Sequence, residues 1–123
     1  TDSNKKYIES SVLDLILDIR SIVSRPEIEY YCAKYYQKLD MNPHALSCIE
    51  KAIKMCEIQT DNWFNYVDYL TLVKADILHN LGNYQESYNL SNFTLKRDKL
   101  REKDRIYGNL VRDKKISVIR KDY

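Results

Sequence analysis

The chain has 123 residues, of which 44% are hydrophobic, two are glycine and two are proline. That is one domain by length, large enough to bury roughly two-thirds of its unfolded surface, and so few breakers leave room only for a few long elements, which reads as helix. The formal charge of +2 hides an asymmetry: from Lys96 onward eleven basic residues face five acids (11 − 5 = +6), so the first 95 residues carry the remaining −4. Interspersed signs suit a solvated helix face, with nucleic acid or an anionic membrane surface as the other reading.

Three cysteines, Cys32, Cys48 and Cys56, cannot all pair, and none has a metal-ligand spacing. Buried free thiols favour a reducing compartment, or an exported protein that makes no use of disulfides. No run approaches the length of a membrane span, since the most apolar segment, VLDLILDI, is broken by Asp14 and Asp18. The abrupt start at Thr1, with no basic-then-apolar leader, reads as an excised piece.

In chain order, Tyr7, Val12, Leu15, Ile16, Ile19 and Val23 fall on one broad face of a first helix. It stops at SRPE, where Ser24 and Glu27 have capping-box spacing and Pro26 lies in the first turn of the next helix. That second helix runs to about Lys38. DMNPHAL breaks it, with Asn42 as cap and Pro43 at the first position of a third helix reaching about Ile58. Thr60 or Asp61 caps a fourth, whose apolar positions Phe64, Val67, Leu70, Val73, Ile77 and Leu81 lead to Gly82. Gly82 suits a left-handed helix end, Asn83 a cap and Glu86 the reach-back of a capping box. A fifth helix follows from Tyr84 to about Leu100, and a sixth from about Glu102 to Tyr123 with Gly108 near its start. In that last helix Ile106, Leu110 and Tyr107 are expected to pack on the fifth. No stretch alternates as a strand would.

Matching Ala33 to Ala75 aligns Ala45 with Ser87, Ile49 with Ser91 and Ala52 with Thr94 at one offset of 42 residues (75 − 33). Small residues at a fixed recurrence mark where helices cross closely. Ala33, Tyr36, Ala45, Ile49 and Ala52, then Ala75, Leu78, Gly82, Tyr84 and Ser87, resemble the small/large signature of the tetratricopeptide repeat (TPR) over roughly Pro26 to Leu100. Asp40 stands where the first unit would carry the turn glycine. The offset exceeds the family's usual 34 by eight, about one extra turn on each of two facing helices. The resemblance implies an all-α, right-handed solenoid of helical hairpins with about six antiparallel helices. Its expected parts are a leading helix over 1–25, repeats over 26–67 and 68–101, and a C-terminal helix over 102–123.

No catalytic constellation is present. His44 and His79, the only histidines, lie in no metalloprotease, phosphate-loop or nucleophile-elbow setting, so neither an enzyme nor a cofactor is expected. Eleven tyrosines, four of them at Tyr30, Tyr31, Tyr35 and Tyr36, suit hairpin packing or a groove wall; Tyr31, Tyr35 and Tyr36 read as packing and Tyr30 as groove. In TPR arrays the first helix of each pair lines the concave surface. The resemblance therefore implies a ligand groove at Glu27, Tyr30, Lys34 and Gln37 and at Tyr69, Leu72, Asp76 and His79, holding a peptide or protein segment.

The C-terminal run from GNYQESYNL through KKISVIRKDY is similar to the closing repeat of bacterial membrane-anchored regulators, in which a TPR sensor leads by a helix to a membrane span and an output domain. The implied function is a non-catalytic sensor or interaction module of a bacterial signalling or transcription regulator. It would be periplasmic on that resemblance, with the membrane reached only through segments outside this chain. A cytoplasmic peptide-pheromone receptor or adaptor of the same class is the alternative, and nucleic-acid binding through the basic C-terminal helix is a second. Ile116, Ile119 and Tyr123, at three- and four-residue steps, form the start of a coiled-coil seam and predict a homodimer.

Overall fold

A computed structural model of the chain describes residues 2–58 and 66–121, and side chains over 3–58 and 66–114. Within those bounds it is all-α, with six helices: α1 (Asp2–Arg20), α2 (Pro26–Lys38), α3 (Asn42–Ile58), α4 (Val67–Asn80), α5 (Tyr84–Leu95) and α6 (Glu102–Lys121). The chain divides into two compact units, Thr1–Asp61 and Asn62–Tyr123. Thr60, Asp61 and Phe64, expected at the start of the fourth helix, lie outside the described residues.

In the first unit α1 packs on α2, and α2 forms a hairpin with α3. The capping box expected of Ser24 and Glu27 is absent. Arg25, with extended backbone, takes the cap position and Pro26 is the first helical residue, so Ser24 lies one residue too early for the reciprocal bonds. Glu27 instead turns its carboxylate to within 3.3 Å of Arg25 Nε. Asn42 is likewise helical rather than capping, and it is the Met41 carbonyl that accepts the Ala45 N–H at 3.0 Å. In α1 the buried side carries Glu9 and Leu13, with Val12, Ile16, Leu17 and Arg20 half-buried, while Tyr7, Leu15, Ile19 and Val23 are exposed. The apolar stripe expected to face the core thus lies mostly to one side of the contact with α2.

The second unit packs α4, α5 and α6 against one another. Asn83 occupies the cap position of α5 but makes no side-chain capping bond; its own N–H, the donor Glu86 would have met, goes to the Leu78 carbonyl at 2.9 Å. Helix α5 ends at Leu95 rather than near Leu100, where the Lys96 and Arg97 N–H groups turn to the Phe93 and Thr94 carbonyls. The buried side of α6 is Asp104, Gly108 and Val111, with Tyr107 half-buried, whereas Ile106 and Leu110 are exposed. Gly108 explains the rotation. A Cβ there would come within 2.7 Å of Leu95 Cδ2 and 3.2 Å of Leu72 Cδ2, so the bare backbone side, not the isoleucine, faces the other helices. Arg101 closes the start of α6 by binding Asp104 at 2.8 Å.

The 42-residue recurrence is written into the backbone. Asp40 (φ 57) and Gly82 (φ 85) both take left-handed angles at the end of a helix, 42 residues apart (82 − 40). Met41 N–H donates to Tyr36 O at 2.8 Å and Asn83 N–H to Leu78 O at 2.9 Å, while Asp40 and Gly82 donate to Gln37 and His79. These are the same Schellman closure. Ala33, Ala45, Ile49 and Ala52 in the first hairpin, and Ala75, Ser87, Ser91 and Thr94 in the second, are all buried. Ser87 Oγ donates to the Ala75 carbonyl at 2.6 Å, which sets those two positions face to face across the α4–α5 pair.

Candidate functional site

The four positions expected to line a groove on α2 share one partly exposed side of that helix. Glu27, Tyr30, Lys34 and Gln37 are each half-buried, at steps of three and four residues that keep them aligned along the axis. Glu27 is held by Arg25, and the Tyr30 ring lies 5.2 Å from that of Tyr31 at a tilt of 60°. Tyr31, expected to pack inside the hairpin, is exposed. Tyr35 and Tyr36 are half-buried; Tyr35 lies beneath the Lys38 ammonium at 4.7 Å, and Tyr36 meets the His44 ring at 5.1 Å. The result is an aromatic pair flanked by both signs of charge.

The equivalent positions of α4, each 42 residues on (69 − 27), have a different fate. Tyr69 stacks obliquely on Tyr107 of α6 at 5.7 Å. Leu72 has 0% exposure and sits where Gly108 lets α6 approach. Asp76, buried, binds Lys114 Nζ at 2.7 Å. His79, half-buried, lies 5.0 Å from the Tyr84 ring. Leu72 therefore has no surface to offer a ligand. A helix-face argument from α4 alone could not foresee this, because the cover comes from α6, whose docking side is chosen by a glycine.

Reading the sequence missed a polar cluster inside the first unit. Glu29 is only 2% exposed, on the side of α2 that also buries Cys32 and Ala33. Its carboxylate lies 3.8 Å from the Arg20 guanidinium and 3.7 Å from the Lys51 ammonium, and Arg20 also reaches the Cys48 sulfur at 3.6 Å. Burial works to lower the Arg20 pKa, but Glu29 and the neighbouring thiols outweigh it and the net direction is upward. Burial pushes the Cys48 thiol up to about 11 and raises Cys32 as well, so both stay neutral at physiological pH and are poor nucleophiles. A glutamate three residues before a cysteine–alanine pair on a core-facing stripe was the available signal.

The basic C-terminal segment is largely engaged with its own unit. Arg97 pairs with Asp68 at 2.9 Å, Arg101 with Asp104 and Lys114 with Asp76; Arg105 donates to the Leu95 carbonyl and Arg112 to Asn109. Ile116, Ile119 and Tyr123, expected to form a dimer seam, lie outside the described side chains. Among the described residues no three His, Cys, Asp or Glu side chains come together as a metal would require, and no helix is long and apolar enough to cross a membrane.

Comparison with protein-family models, with characterised proteins and with solved structures finds no match to this chain.

Proposed function

We propose that the chain is a non-catalytic, TPR-like interaction module whose working surface is the partly exposed side of α2, and that it recognises an extended peptide or protein segment. The observation that carries this reading is the contrast at two pairs of equivalent positions: Leu72 and Asp76 of α4 are buried against α6, whereas Tyr30 and Lys34 of α2 stay half-buried beside the exposed Tyr31. Tyrosine supplies contact area with few rotors to freeze, and flanking charges of both signs set register and orientation. On the resemblance of its repeats, such a module would serve as the sensor or interaction region of a bacterial signalling or transcription regulator. The nucleic-acid reading is weaker, since Arg97, Arg101 and Lys114 are neutralised by carboxylates and such cations release fewer counterions on binding phosphate.

The test is selection of binders from a displayed random-peptide library, followed by titration of the best synthetic peptide. Tyr30→Ala and Lys34→Glu should each weaken binding about tenfold or more, as truncation of an interface anchor does, while Tyr69→Ala has no effect. Unchanged affinity in both α2 variants would refute the assignment.

A further inference from the structure

A cleft of about 330 Å³ opens in the first unit, lined by Lys5, Lys6 and Glu9 of α1 and Lys38 of α2. That volume is at the small end of ligand sites, which run roughly 300–1,000 Å³. Its charges are poorly matched internally. Glu9 is only 8% exposed, yet among the described residues it makes no hydrogen bond or ion pair, and the same holds for Lys5 and Lys6. Lys38 lies over the face of Tyr35, at 4.7 Å, and makes no ion pair among the described residues. Glu9 is buried along most of its side chain while its carboxylate still meets water in the cleft, beside three ammonium groups with which it makes no direct contact.

We propose that this cleft binds a small acidic zwitterion, a free acidic α-amino acid or an acidic dipeptide. The lining carries three positive charges and one negative one. A ligand with two carboxylates and one ammonium group answers both signs: its carboxylates meet Lys5, Lys6 and Lys38, and its ammonium donates to Glu9 in a charge-assisted hydrogen bond. A simple anion such as phosphate would satisfy the lysines but set like charge against Glu9, and a cation would do the reverse. The site does not rest on the peptide surface of α2. Tyr30→Ala leaves it intact, so the two assignments fail separately.

Isothermal titration of the whole chain with L-glutamate, L-alanyl-L-glutamate, glutarate and L-lysine tests it. L-glutamate or the dipeptide should bind saturably at one site, the tighter of the two identifying which source fits. Glutarate, which lacks the ammonium, should bind about tenfold more weakly, and L-lysine not at all. Glu9→Gln should bring L-glutamate down to the level of glutarate, and Lys38→Gln, on the exposed end of α2, should weaken both while retaining the wild-type circular dichroism. No saturable binding by either zwitterion, equal binding of glutarate and L-glutamate, or indifference to Glu9→Gln in a folded protein would overturn the proposal.

Discussion

The α2–α3 and α4–α5 hairpins reach the same geometry from different residues. One turns at Asp40 and the other at Gly82, both left-handed and both closed by the same pair of backbone bonds. One lines its inner side with Ala45, Ile49 and Ala52, the other with Ser87, Ser91 and Thr94. The turn thus demands an angle rather than a glycine, and aspartate is among the few side-chain-bearing residues that adopt it at modest cost. At the close crossing, where Ala45 matches Ser87, the interior demands small volume rather than apolar chemistry. Hydroxyls are tolerated because each is satisfied: Ser87 by the Ala75 carbonyl, Ser91 and Thr94 by carbonyls one turn back in their own helix.

The largest way to break the comparison is Leu72→Ala. The side chain is fully buried against Gly108, so truncation should cost about 2–5 kcal/mol in chemical denaturation, whereas its counterpart Tyr30→Ala should cost far less. Equal losses would mean that the two helix faces are covered alike. Next is Ala45→Leu, which overpacks the α2–α3 crossing at a cost of about 1–3 kcal/mol, with Ser87→Leu behaving similarly in the second hairpin. Wild-type melting of both would remove the close crossings.

At the turns, Gly82→Ala should destabilise by about 1–2 kcal/mol, the left-handed penalty for a residue with a Cβ, while Asp40→Gly should be neutral or slightly stabilising. If Gly82→Ala has no effect on the melting temperature, the turn does not need that angle. A smaller, pH-dependent effect comes from the thiols. The folded pKa of Cys48 is raised from 9.0 to about 11, so the unfolded chain loses its proton first as pH rises and stability should fall between those values. Below pH 9 that contribution is fully present. Cys48→Ala should flatten the fall in a series of melts across this range, and an unchanged slope would show that the thiol is not desolvated.

Much of the fold was legible because its boundaries are chemical. Pro26, Pro43 and Gly82 each mark a helix limit to within a residue or two, and the small-residue register from Ala33 to Thr94 identified the buried positions of both hairpins. The end of α5 was not legible, since KRDKL contains no breaker and all its residues suit a helix. The docking side of α6 was hidden for another reason. Hydrophobic periodicity points to Ile106 and Leu110, but Gly108 permits closer approach on a different side, and Arg101 neutralises Asp104 there. The α2 positions came from the repeat resemblance rather than from periodicity; the cover over α4 and the cluster around Glu29 depend on which helix meets which, a tertiary fact that no single helix carries.

The central claim is that α2 and α4 differ at two equivalent places, Leu72 and Asp76 being buried where Tyr30 and Lys34 are half-buried. Lys34 and Asp76 occupy the same place in the two hairpins (76 − 34 = 42), which permits a matched pair of charge reversals, Lys34→Glu and Asp76→Lys, compared by urea denaturation. Asp76→Lys sets two ammonium groups together beside α6 and should cost about 1–3 kcal/mol, the figure for a hydrogen bond to a charged group allowing for the part-exposed Lys114. Lys34→Glu, at a half-buried position rather than a buried one, should cost less than Asp76→Lys. Equal destabilisation by the two reversals, or a greater loss from Lys34→Glu, would contradict the account.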